Sequence, residues 1–134
     1  STFGGSTLSC RVGTEVLRIL HDEELRANAH DVGRHLQERL RDLQSRHACV
    51  GDVRGMGLFI GVDLVTDRDT RRPATALAGY VVNRLREERI LIGTEGPADN
   101  VLKIRPPLTV GRADVEWLVT ELDTILGELP LAGA

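Results

Sequence analysis

The apolar residues of this chain change period near residue 47, and that change constrains the fold more than any other feature of the sequence. Before it, Leu25, Ala29, Val32, Leu36, Leu40 and Leu43 follow one another in steps of four and three, the spacing that lines one face of an α-helix. After it, Cys49 to Val53 and Leu58 to Val65 read as two strands around the glycine-rich turn Arg54-Gly55-Met56-Gly57. A helix with one apolar face followed by a hairpin points to a helix laid on an antiparallel sheet.

The flanking segments extend this pattern. Leu8, Val12, Val16, Ile19 and Leu20 recur at helical spacing after a Gly-rich opening, which predicts a first helix from near Ser6. Asp22, followed by Glu23 and Glu24, is the expected N-cap of the second helix, which closes on Arg46 and His47. Thr66 to Arg72 reads as a charged surface turn before Pro73. A third helix is expected from Thr75 to Glu88, with Leu77, Tyr80, Val81 and Leu85 inward, then a short strand from Ile90 to Ile92. Beyond the loop at Gly96-Pro97, alternation over Val101 to Arg105 puts Leu102 and Ile104 on one face and Val101, Lys103 and Arg105 on the other, before Pro106-Pro107 ends the strand. The last helix is expected from Arg112, with Asp114 in its first turn and Val115, Leu118, Val119, Leu122, Ile125, Leu126 and Leu129 inward. The predicted fold class is α+β, a small, mostly antiparallel sheet with helices on one face and Lys103 and Arg105 on the open one.

Composition narrows the function. The chain has 134 residues, 41% of them hydrophobic, a length at which one domain can bury a core without a disulfide or metal. A net charge of −3 and four aromatic residues argue against a nucleic-acid partner. No apolar run approaches the roughly 18 residues of a membrane span, so no membrane partner is expected and the cytoplasm is the expected location. Cys10 and Cys49 lack zinc-type spacing and His21, His30, His35 and His47 form no ligand motif, so no metal site is expected. Lys103 is the only lysine.

Arg105 is the leading candidate residue, because a guanidinium at a strand end beside a rigid Pro-Pro turn is well placed to hold a carboxylate or phosphate through two hydrogen bonds; the alternative is a surface ion pair. Lys103 is a weaker candidate beside it. The opening Ser1-Thr2-Phe3-Gly4-Gly5-Ser6-Thr7 could cradle a phosphate or be no more than a turn and cap. The Arg54 to Gly57 turn is either functional or a backbone shape that needs glycine. No set of residues with the context of an activated nucleophile or acid–base pair is present.

Three ordered segments carry a family resemblance: Thr2-Phe3-Gly4-Gly5 leading into the helix with Cys10, Gly51-Asp52-Val53-Arg54-Gly55-Met56-Gly57-Leu58, and Asp99-Asn100-Val101-Leu102-Lys103-Ile104-Arg105-Pro106-Pro107-Leu108. Together they resemble the C-terminal part of class-III pyridoxal-phosphate-dependent aminotransferases over nearly the whole chain, with the last segment most similar to the ethanolamine-phosphate phospho-lyase branch. The resemblance implies fold type I, a homodimer whose large domain carries pyridoxal 5'-phosphate, and a small C-terminal α+β domain over the active site. It divides this chain into residues 1–21, entering from the missing large domain, and residues 22–134, the small domain.

By carry-over, Thr2 matches the threonine that reaches the cofactor phosphate of the neighbouring subunit, and Arg105 the arginine that in many members holds the substrate carboxylate. The implied activity is transfer of an amino group from a small-molecule amine or amino acid to a 2-oxo acid or aldehyde. Phospho-elimination from a phosphorylated amine is the alternative, and a non-catalytic anion-binding or interaction module a further one. Two departures stand out. Ser6-Thr7 replaces the family's usual Asn-Pro, and the cofactor-bearing lysine lies upstream of the Thr-Phe-Gly-Gly motif, so Lys103 does not match it and the chain alone is expected to be inactive.

Overall fold

The computed structural model describes Thr2 and residues 4–128. Phe3 and Leu129, both singled out above, lie outside the described residues. The elements run α1 (Thr7–Asp22), α2 (Leu25–Arg46), β1 (Val50–Met56), β2 (Phe59–Asp67), β3 (Arg72–Pro73), α3 (Thr75–Glu87), β4 (Gly93–Glu95), β5 (Val101–Ile104) and α4 (Arg112–Gly127). The sheet is antiparallel throughout, in the order β1-β2-β5-β4, with β3 paired to β2. This is the α+β arrangement that the periodicities predict.

The core forms where the two periods meet. Val32, Leu36, Leu40 and Leu43 of α2 are buried against Val53, Ile60, Val62, Leu64, Leu102 and Ile104 of the sheet, together with Ala78, Val81 and Leu85 of α3. The α4 helix packs across α2 and α3 and buries six apolar residues from Val115 to Leu126. Its first turn is closed by the Gly111 N–H donating to Asp114 Oδ2 at 3.0 Å. Two carboxylates on α4 also tie it to α2: Glu116 accepts from His35 at 2.7 Å and Arg39 at 3.1 Å, and Asp123 from Arg46 and His47 at 2.6 Å.

Several boundaries differ from the sequence reading. Asp22 is not a cap but the last residue of α1, because α1 continues its own hydrogen bonding through Glu23 N–H to Ile19 O and Glu24 N–H to His21 O. The break falls at Glu24, which takes a left-handed conformation (φ 50°) and accepts from the Asn28 N–H to open α2. The hairpin turn is Gly57-Leu58 rather than Arg54 to Gly57, so Arg54, Gly55 and Met56 belong to β1. Thr66 to Arg72 is not wholly a turn either, since Asp67 pairs with Arg72. Tyr80 is 40% exposed, while Ala78 takes the inward place on α3. Ile90 to Ile92 is not a strand. The Ile90 N–H closes the end of α3 on Leu85 O, and ladder pairing starts only at Gly93.

Glycine is required where α2 meets the hairpin. A Cβ on Gly33 would lie 2.2 Å from the Gly57 carbonyl oxygen, and Gly57 itself turns at φ +55°. The glycine-rich stretch therefore lets the hairpin turn rest directly on the helix backbone.

Candidate functional site

Alternation along β1, β2 and β5 sends one set of side chains into the core and leaves the other on the sheet face that no helix covers. The register orders this second set in rows. Asp52, Asp63, Val101 and Glu95 form one row, and Arg54, Gly61, Lys103 and Gly93 the next. Met56 and Phe59 pair beyond them, with Arg105 just past the end of β5. Gly61, the one residue between Arg54 and Lys103 in that row, leaves no side chain between them. The result is an open concavity of about 650 Å³ whose walls include Arg54, Met56, Phe59, Glu95, Lys103 and Arg105.

The three cations of this face differ in their partners. Arg54 Nη1 donates to Asp52 at 2.9 Å and to Asp63 at 3.0 Å, contacts that hold its guanidinium even more firmly in the charged form. Lys103 donates to Glu95, and that hydrogen bond, with the charges of Lys103 and Arg105, keeps the Glu95 carboxyl below its ordinary range. Arg105 is exposed, with its guanidinium carbon 5.8 Å from the centre of the Phe59 ring, and among the described residues no carboxylate pairs with it.

The structure thus places Arg105 and Lys103 on the open face expected for them. Thr2 stands elsewhere, in an exposed turn ahead of α1, a helix that packs on α2 and on no other element. Among the described residues nothing brings Thr2 and Arg105 together. The Arg54 to Gly57 segment divides: Gly55 and Gly57 serve backbone geometry, whereas Arg54 joins the cationic face. Sequence reasoning missed Phe59, Glu95 and Gly61. Alternation carried one residue past Val53, and applied to Phe59 within the expected strand Leu58 to Val65, would have placed Arg54 and Phe59 on the face of Arg105. Among the described residues no group of three or more His, Cys, Asp or Glu side chains could hold a metal ion, and no helix is long and apolar enough to cross a membrane.

Known proteins share this sequence and shape. A family model described as aminotransferase class-III matches residues 1–126. Ethanolamine-phosphate phospho-lyase homolog 1 of Caenorhabditis elegans is 42% identical over 127 residues, which cover 94% of this chain and 27% of that protein. Alanine–glyoxylate aminotransferase 2 homolog 2, mitochondrial, of Arabidopsis thaliana is 40% identical over 129 residues, 96% of this chain and 27% of its own length. Among solved structures, a phospholyase from Arthrobacter in complex with phosphoethanolamine matches with a TM-score of 0.83 at 42% identity, over 88% of this chain and 28% of that one. The chain spans about a quarter of the length of these relatives.

Proposed function

Because the chain belongs to the class-III aminotransferase family and has the architecture of fold type I neighbours, we propose that it is the C-terminal domain of a pyridoxal-phosphate-dependent enzyme that transfers an amino group from an amine or amino acid to a 2-oxo acid or aldehyde. In this reading Arg105 holds the anionic group of the substrate. The observation that carries it is the pairing on the open face: Arg54 and Lys103 are neutralised by carboxylates of the chain itself, and Arg105 is not. Its planar fork of donors suits a carboxylate or phosphate through two parallel hydrogen bonds.

The cofactor's phosphate finds a fitting partner in the Thr2 turn. Its hydroxyl is exposed, Gly5 turns at φ +77° with open space around it, and Ser6 makes no side-chain cap, so the first amides of α1 can donate to an anion. Pyridoxal phosphate supplies the electron sink of the reaction when bound. We assign the lysine that carries it to the large domain, as the family resemblance implies; Lys103 lies on the sheet and donates to Glu95. The reading keeps the division into residues 1–21 and 22–134, supported by α1, which buries none of its residues here although it ends one residue past that division, and the Thr2 role requires a homodimer.

A second reading, elimination of phosphate from a phosphorylated amine, is favoured by the 42% identity to a phospho-lyase homolog and to the phospholyase that holds phosphoethanolamine. One experiment addresses both. In the full-length enzyme, Arg105→Met should raise KM for an anionic amine by about 10- to 100-fold and leave a neutral-tailed amine unaffected. Unchanged KM for the anionic amine would overturn the Arg105 assignment. Release of inorganic phosphate from phosphoethanolamine, against formation of a new amine, decides between the two reactions.

A further inference from the structure

We propose that Phe59 is the positioning residue for Arg105, holding the guanidinium at the mouth of the open-face concavity without neutralising it. The inference rests on the reading of Arg105 as the residue that binds the substrate's anionic group. Phe59 is one of only four aromatic residues in the chain, and it is left 60% exposed between Leu58 and Ile60, both buried. The core takes nothing from this ring. Alternation sends it to the outer face, where the Arg105 guanidinium carbon sits 5.8 Å from its centre, within the roughly 6 Å over which a cation is attracted to an aromatic face.

What sets this contact apart is how the other two cations of the face are held. Carboxylates fix Arg54 and Lys103 in place, but they also cancel their charge and engage Nη1 of Arg54 and Nζ of Lys103. An incoming anion would have to displace those carboxylates. A ring attracts through its quadrupole, carries no net charge, and takes up none of the donors as a carboxylate would. Arg105 is thereby restrained while its positive charge stays available. A competitor on this face is Glu95, whose carboxylate feels the charge of Arg105 and is already bound to Lys103. The ring keeps Arg105 at its own end of the face and away from that carboxylate.

The test is equilibrium calorimetry on the full-length holoenzyme, with phosphoethanolamine and β-alanine as anionic probes and propylamine as the neutral control. Phe59→Leu should weaken both anionic probes by about three- to tenfold and leave propylamine unchanged, and Phe59→Tyr should restore binding to within about twofold. Arg105→Met sets the full loss. If Arg105→Met loses the anions and Phe59→Leu binds them like the parent, the positioning role falls and the Arg105 reading stands. If Arg105→Met binds like the parent, or the parent binds neither anion, both fall. Equal losses in Phe59→Leu and Phe59→Tyr, or a parallel loss of propylamine, would make Phe59 a packing residue and overturn the proposal.

Discussion

Replacing Gly33 by alanine should destabilise the chain, although alanine is the better helix former by about 1 kcal/mol. The reason lies in one contact. A Cβ on Gly33 would stand 2.2 Å from the Gly57 oxygen, 2.3 Å from its carbonyl carbon and 2.7 Å from its Cα, all backbone atoms that cannot rotate aside. Gly57 is itself fixed, at φ +55° in the hairpin turn, so relief requires α2 and the hairpin to separate. Separation loosens Val32 and Leu36, which lie beside Gly33 on the buried face of α2. Forcing a methyl into a packed contact costs about 1–3 kcal/mol, and three backbone atoms inside 3.0 Å put this one at the upper end, so after the helix-propensity gain of about 1 kcal/mol the net loss should be about 2 kcal/mol. Urea denaturation of the 134-residue chain would measure it. Gly79→Ala on α3 is the control, because a Cβ there meets nothing within 4 Å, and that variant should gain up to about 1 kcal/mol. A Gly33→Ala protein as stable as the parent, or shifted in the same direction as Gly79→Ala, would refute the close-approach argument.

Two further perturbations test what joins the elements. The Arg68 side chain donates from Nε to Val50 O at 3.1 Å and from Nη2 to His47 O at 2.8 Å and to Gln44 O, fastening the β2–β3 connection onto carbonyls at the end of α2 and the start of β1. Arg68→Ala should cost about 2 kcal/mol in thermal or urea unfolding, and Arg68→Lys should recover only part of it, having no planar fork. Acid should loosen the α2–α4 seam. Partial desolvation raises the Glu116 carboxyl, but hydrogen bonds from His35 and Arg39 outweigh it, and the Arg46 hydrogen bond lowers Asp123 against desolvation with help from His47. Both folded values lie below the unfolded ones, so their stabilisation is complete above the ordinary carboxylate range and is lost as pH falls below about 4. A Glu116→Gln/Asp123→Asn variant should start less stable at pH 7 and lose less on acidification; an acid limb as steep as the parent's would count against this account.

The fold was legible in the sequence wherever one period ran long enough to outweigh its ends. The stripe from Val32 to Leu43 and the alternation from Val101 to Ile104 each name the residues that are buried. Boundaries were less legible because they turn on competition between neighbouring hydrogen bonds. Asp22 has the chemistry of a cap, yet α1 retains it through Ile19 and His21, and that competition cannot be read from Asp22 alone. Ile90 and Ile92 have strand-forming side chains, but the Ile90 amide is already spent on Leu85, so the ladder begins one residue past Ile92. Tyr80 has helical spacing suited to the core, but Ala78 and Val81 fill that face of α3 and the ring stays outside.

The open face was legible for a simpler reason and incomplete for a deeper one. Period-two alternation assigns each strand residue to a face, so Lys103 and Arg105 had to lie together once Leu102 and Ile104 went inward. Which residues stand beside them depends on register across three strands, and register follows from a turn that sequence placed at Arg54 to Gly57 instead of Gly57-Leu58. That displacement hid Arg54 in a supposed turn and left Phe59, inside the expected second strand, without a known neighbour. Once the turn is placed correctly, Arg54, Gly61, Lys103 and Gly93 fall into one row, and Gly61 becomes part of the lining of a concavity. The same alternation that builds the core therefore also brings the cations to one place. The partner of each cation then decides what it can do: Asp52 and Asp63 neutralise Arg54, Glu95 neutralises Lys103, and the aromatic ring of Phe59 leaves Arg105 charged.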